Sequence, residues 1–242
     1  MYKIGMLDSG IGGLNVLEEV KKLMPSEKII YYNDSGNNPY GSKSKEEIIS
    51  IVDNIVQVLL SYGCKEIILA CNTASTMSIK YLKEKYPDTI FISTVPAVKV
   101  ATDNGYKNIL VLSTPVTAGS DRLKKLIDDN IKEGQQVYVE GCEGLANAIE
   151  VDNEQLVYDM VEYHLSKYTD KKIDAIVLGC THYCYIKDVI LEFMPNVALL
   201  DGNLGVAREA KKQLELHNLL EDNEVNINEI LFLETGAEKK VL

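Results

Sequence analysis

Short apolar runs alternate with longer stretches of helical periodicity almost from end to end of the chain. Tyr2 to Leu7 predicts a strand, and Leu14 to Met24 a helix with Leu14, Leu17, Val20 and Met24 on one face, stopped by Pro25. Lys28 to Tyr32 predicts a second strand. A turn-rich loop, Asp34 to Gly41, then leads to Ser44-Lys-Glu-Glu47, whose spacing is that of a capping box opening a helix that runs to Ser61. Glu66 to Ala70 predicts a third strand, followed by a helix from Thr73 that ends at Pro87. The rest continues the alternation, with strands over 90–94, 108–112, 136–140, 174–178 and 197–200 and helices over 120–130, 153–168, 184–194 and 204–220. Such βαβ units build parallel sheets with helices on both faces, so the fold class is α/β.

The chain also resembles itself. Tyr2-Lys-Ile-Gly-Met-Leu-Asp-Ser9 is echoed by Tyr106-Lys-Asn-Ile-Leu-Val-Leu-Ser113, and Glu66-Ile-Ile-Leu-Ala-Cys-Asn-Thr73 by Ala175-Ile-Val-Leu-Gly-Cys-Thr181. Two similar doubly wound α/β halves are the expectation. Open α/β sheets bind ligands at the carboxyl ends of their strands, so Cys71 and Cys180, each just past a strand, point to a shared cleft.

Composition adds constraints. With 242 residues, 46% apolar and 25% charged, the chain is long enough for a sizeable core and excludes a disordered or fibrous protein. Its net charge of −11 opposes nucleic acid and anionic membranes as partners. Neither a signal peptide nor an apolar run of about 18 residues is evident, so a cytoplasmic location is expected. Five cysteines, at 64, 71, 142, 180 and 184, form an odd set that argues for free thiols over a disulfide framework.

Cys71 and Cys180 each stand at a strand-to-helix turn, where unpaired N–H groups and the helix dipole favour a thiolate. The alternative for each is a small buried filler, the role expected of Cys64 and Cys184 on helix faces. The Cys180, His182, Cys184 spacing lacks the second ligand pair of a zinc site, so no metal is expected. Asp8-Ser-Gly-Ile-Gly-Gly13 lies where a dinucleotide fingerprint would, but Asn15 occupies the position of the third glycine and no Gly-Lys-Ser/Thr follows. Its glycines still expose N–H groups suited to an anion, and Asp8 is a candidate acid/base group or ammonium partner, with N-capping as its simpler role.

Taken together, Ile4 to Leu14, Pro39-Tyr-Gly-Ser-Lys-Ser44, Ala70-Cys-Asn-Thr-Ala-Ser75, Cys142 to Glu150 and Leu178-Gly-Cys-Thr-His-Tyr183 resemble the glutamate racemases of the aspartate/glutamate racemase superfamily, with weaker likeness at Phe232 to Gly236. The resemblance implies two α/β domains related by a pseudo-two-fold axis, residues 1–95 plus 206–242 and residues 96–205, with the active site in the cleft between them. It implies a cofactor-independent enzyme, a homodimer, that inverts the α-carbon of glutamate and supplies D-glutamate for peptidoglycan. Cys71 and Cys180 would be opposed acid/base thiols, Asp8 assisting the first and His182 the second, with Glu150 a carboxylate beside Cys180. Substrate contacts map to Asp8, Ser9, Tyr40, Gly41, Asn72, Thr73, Thr181 and His182. Asp34 matches a further acidic position without an assigned role. The family's Thr-His-Tyr-Pro is Thr181-His-Tyr-Cys184 here, and Ser35-Gly-Asn-Asn38 replaces its small-residue and arginine stretch. The alternatives are a racemase of aspartate or another amino acid, a nucleotide-binding oxidoreductase, and a non-catalytic amino-acid-binding protein.

Overall fold

The structure, a computed structural model, describes residues 3–221, 229–235 and 240–241. The chain begins β1 (Lys3–Asp8), a 3-10 turn at Ile11–Gly13, α1 (Leu14–Leu23), β2 (Ile29–Asn33), 3-10 turns at Ser35–Asn37 and Tyr40–Ser42, α2 (Lys45–Ser61), β3 (Cys64–Leu69), α3 (Asn72–Lys85) and β4 (Ile90–Ser93). It continues α4 (Val98–Asp103), β5 (Asn108–Ser113), α5 (Pro115–Ala118), α6 (Asp121–Asn130), β6 (Gln136–Gly141), α7 (Leu145–Glu150), α8 (Glu154–Ser166), β7 (Ala175–Leu178), a 3-10 run at Thr181–Ile186, α9 (Lys187–Phe193) and β8 (Ala198–Leu200). Then follow α10 (Asn203–Leu216), β9 (Ile230–Glu234) and β10 (Lys240–Val241). Contacts divide the chain into two units, Met1–Thr94 with Asn203–Leu242, and Val95–Gly202.

In the first unit the strand order is β10-β9-β2-β1-β3-β4, and in the second β6-β5-β7-β8. The order β2-β1-β3-β4 thus recurs as β6-β5-β7-β8, which gives the repeated sequence segments a repeated topology. The pairings are parallel except β9 with β10. Alternate residues of the first sheet serve different cores. Ile4, Met6, Ile29 and Tyr31 pack with α1 and α10, while Leu7, Ile30, Ile67 and Leu69 pack with α2 and α3. The second unit repeats this, with Leu110, Leu112, Ile176 and Leu178 against α7, α8 and α9, and Ile109, Val111 and Val177 against α4 and α6. Strands buried on both faces lose their polar alternation, which is why they read as continuous apolar runs.

The Ser44 capping box forms as its spacing predicts: Ser44 Oγ accepts from Glu47 N, and Glu47 Oε2 accepts from Ser44 N at 2.8 Å. The structure differs from the sequence reading in several places, among them the short helices α4, α5 and α7, which have no counterpart among the expected helices. Cys64 is no helix-face residue; it opens β3, which begins before Glu66 and carries Lys65 and Glu66 into the interior. The helix expected over 184–194 starts as a 3-10 run and becomes α-helical only at Lys187. Strand β9, with no counterpart among the expected elements, adds to β2 in parallel register from Ile29↔Ile230 to Asn33↔Glu234.

Candidate active site

In the first unit the carboxyl ends of β9, β2, β1 and β3 stand side by side, since Asp8 pairs with Asn33, Asn33 with Glu234 and Leu7 with Leu69. Asp8, fully buried, accepts a hydrogen bond from Gly10 N at 3.0 Å, and Tyr31 Oη donates to Gly10 O at 3.1 Å. A Cβ on Gly13 would lie 2.6 Å from both Asp8 Cβ and Tyr31 Oη. Close approach of the start of α1 to this carboxylate therefore explains the glycine there without any nucleotide.

Cys71 is the N-cap of α3, and its Sγ accepts from Ala74 N at 3.4 Å. The positive end of a 14-residue helix thus faces this sulfur. Ser9 Oγ lies 3.5 Å from the same atom. Asn72 and Thr73, the first two residues of the helix, are buried, and Asn72 Oδ1 has no hydrogen-bond partner among the described residues. A buried amide oxygen left unpaired is unfavourable by roughly 1–3 kcal/mol, so a ligand N–H fits there. Tyr40 is buried and donates its hydroxyl proton to Asp34 Oδ2 at 2.5 Å. Burial and then the adjacent Asp34 carboxylate hold this phenol well above its ordinary pKa, so the proton stays on Tyr40. Gly41 follows in the same 3-10 turn.

The second unit builds a different environment around its cysteine. Cys180 follows β7 as expected, but it precedes a 3-10 run and makes no capping bond, so the helix-end argument applies to Cys71 and not to Cys180. Cys180 Sγ instead lies 3.9 Å from His182 Nδ1. His182 Nε2 is 2.5 Å from Glu150 Oε2, at the last residue of α7. Donation from Nε2–H to Glu150 leaves the Nδ1 lone pair toward the thiol, so thiol, imidazole and carboxylate form one continuous chain of contacts. Thr181 is buried beside them, and Tyr183 below donates to Cys142 O at 3.4 Å.

The five cysteines separate by surroundings. All are free thiols. Burial pushes the Cys64 and Cys142 thiols up to about 12, which keeps both protonated and unreactive. Cys184 is half-buried against the apolar core of its unit. Cys142 also follows a strand, β6, and its Sγ donates to Glu140 O at 3.9 Å. Cys71 and Cys180 are set apart by standing after the corresponding strands β3 and β7, with a helix N–H at one sulfur and an imidazole near the other. Among the described residues no group of three or more His, Cys, Asp or Glu side chains could hold a metal ion.

Asp8, Ser9, Tyr40, Gly41, Cys71, Asn72 and Thr73 thus gather at one strand edge of the first unit, and Glu150, Cys180, Thr181 and His182 at the matching edge of the second. The sequence reading passed over Thr114, buried at the end of β5, although the repeat aligns that strand end with the end of β1. It also gave Thr235, after β9, no role.

The chain matches the family model described as Asp/Glu/hydantoin racemase over residues 14–210. It is 37% identical over 244 residues to a glutamate racemase of Clostridium botulinum, an alignment that covers 99% of this chain and 93% of that one. Its fold is similar to the crystal structure of glutamate racemase from Francisella tularensis in complex with D-glutamate, with TM-score 0.85 and 29% identity over 98% of this chain and 89% of that one. It is similar too to the Escherichia coli glutamate racemase in complex with L-glutamate, with TM-score 0.84 and 29% identity over 98% and 91% of the two chains.

Proposed function

The chain belongs to the Asp/Glu/hydantoin racemase family, and on that footing we propose that it interconverts L- and D-glutamate by proton transfer between two cysteines, without a cofactor. Racemases are isomerases, and glutamate is the amino acid held by the similar enzymes of F. tularensis and E. coli. The observation that carries the mechanism is the pair of cysteines at corresponding strand ends, each with its own proton-handling partners. Cys71 has Ser9 and the first turn of α3, and Cys180 has His182 and Glu150.

Inversion at Cα by one base would require the intermediate to turn over within the site. Two bases avoid this, and bases of the same chemical type keep a thermoneutral reaction nearly symmetric. In one direction the Cys71 thiolate removes the Cα proton. The electron pair left on carbon is delocalised toward the α-carboxylate, and the Cys180 thiol donates its proton to the opposite face. The enzyme then holds a Cys71 thiol and a Cys180 thiolate, the state that starts the reverse reaction. His182, oriented by Glu150, assists the thiol of Cys180 to release and regain its proton. Asp8 at the end of β1 is the acidic neighbour assigned to the first half-site. Asn72, Thr73, Ser9 and Thr181, with the Tyr40–Gly41 turn, supply polar groups for the two carboxylates and the ammonium, and fixed dipoles of this kind stabilise charge as it develops.

The role proposed in the cell is supply of D-glutamate for peptidoglycan, by a cytoplasmic homodimer. Among the described residues no helix is long and apolar enough to cross a membrane. The test is hydrogen exchange in deuterium oxide with each glutamate enantiomer and no added cofactor. Deuterium should enter Cα as the enantiomers interconvert, and Cys71→Ala or Cys180→Ala should abolish racemisation. Undiminished racemisation by either variant would falsify the two-cysteine mechanism. A higher rate on aspartate than on glutamate would instead overturn the choice of substrate.

A further inference from the structure

Asp34 directly follows β2 in the first unit, yet the oxygens of its acidic side chain are already engaged. Oδ2 accepts from Tyr40 Oη at 2.5 Å, and Oδ1 accepts from Asn37 Nδ2 at 2.9 Å and from Thr235 Oγ1. The residue is buried, and its own N–H donates to Asp8 O at 2.9 Å. A carboxylate so occupied has little left to offer a substrate, and its bonds run to two separate pieces of chain.

One piece is the 3-10 turn that begins at Tyr40 and contains Gly41. The other is the end of β9, tied to the same loop by Thr235 N donating to Asn33 O at 3.1 Å and by Ser35 Oγ donating to Glu234 Oε1 at 2.7 Å. A Cβ on Gly36 would come within 2.9 Å of Thr235 Cγ2, so glycine there lets the two segments close on each other. We propose that Asp34 and Thr235 are positioning residues: together they clamp the Tyr40–Gly41 turn in the geometry that receives substrate, which makes the end of β9 part of the site's support. The Tyr40 hydroxyl proton is committed to Asp34, so this side chain acts as a strut and the turn's backbone meets the ligand. The inference rests on the reading of Tyr40 and Gly41 as substrate contacts.

The test compares Thr235→Val, which is nearly isosteric and removes only the hydroxyl, with Thr235→Ser, which keeps it. Thr235→Val should raise KM for glutamate on the order of tenfold, the size of one lost charge-assisted hydrogen bond, with kcat within about twofold because neither thiol is touched. Thr235→Ser should restore KM. An unchanged KM in Thr235→Val, or a fall in kcat with KM unmoved, would overturn the clamp. A second measurement needs no activity. Thr235→Val and Tyr40→Phe share Asp34 as partner, so their effects on unfolding free energy should be non-additive, and additivity would also overturn it. If the parent enzyme does not racemise glutamate, the substrate reading fails, and the unfolding cycle still decides the clamp.

Discussion

Glu66 offers a stability prediction whose sign and size follow from its position. It lies on β3 in register with Ile4 of β1 and Ile90 of β4, and is fully buried. Neither carboxyl oxygen has a hydrogen-bond partner among the described residues. The charged groups around it are Glu27 and Glu209, which oppose its ionisation, and Lys65, which favours it. Lys65 is already committed to the Glu27 carboxylate at 2.8 Å and to the Leu219 carbonyl. Burial first, then Glu27, push the Glu66 carboxyl from its ordinary 4.5 up to about 9. At neutral pH the folded protein therefore keeps this group protonated, while the unfolded chain ionises it. A raised folded pKa means that the stability contribution is fully present below pH 4.5 and declines as pH rises from there toward 9. At pH 7 the unfolded state gains on the order of 3 kcal/mol from this one carboxylate. Glu66→Gln keeps the shape and cannot ionise, so it should stabilise the fold by up to about that amount at pH 7 and by little near pH 4.5. Urea unfolding of both proteins at several pH values between these limits measures the difference. A difference that does not grow with pH, or a variant less stable than the parent at pH 7, would refute the reasoning and mean that Glu66 is ionised and paired in the native state.

Two other substitutions probe the half-sites. Gly13→Ala should destabilise by about 1–3 kcal/mol, the usual range for overpacking, and should lower kcat/KM more than ten-fold, because the new methyl group displaces Asp8. Unfolding and racemisation assays read both effects, and unchanged values would mean that α1 moves freely. Glu150→Gln preserves the volume beside His182 but removes the charge at 2.5 Å from Nε2. It should lower kcat/KM by on the order of a hundredfold, and by the same factor for both enantiomers, because a racemase has an equilibrium constant of one. Full activity across the pH profile would remove Glu150 from the proposed mechanism.

How much of this was legible beforehand depended on the range over which each feature is decided. The alternation of strands and helices was readable, because a strand buried on both faces and an amphipathic helix each leave a local period in the sequence. So was the helix start at Ser44, since a capping box is satisfied within three residues. Cys71 and Cys180 were legible as a pair because the repeat sets them after corresponding strands, and a strand's carboxyl end is where a parallel sheet opens to ligands. The sequence could not show that β3 begins at Cys64. Lys65 and Glu66 look like a polar boundary until Glu27 arrives to pair with the lysine and the fold holds the glutamate protonated. Nor could it show that Cys71 caps an α-helix while Cys180 precedes a 3-10 run, because the helix type after each strand is decided by packing in the folded unit. Asp34 remained without a role for the same reason. Its partner Thr235 lies 201 residues away in sequence and meets it only because β9 returns to pair with β2. Local pattern fixed most of the elements and the candidate thiols. The partners that restrain those atoms were decided by which strand lies beside which.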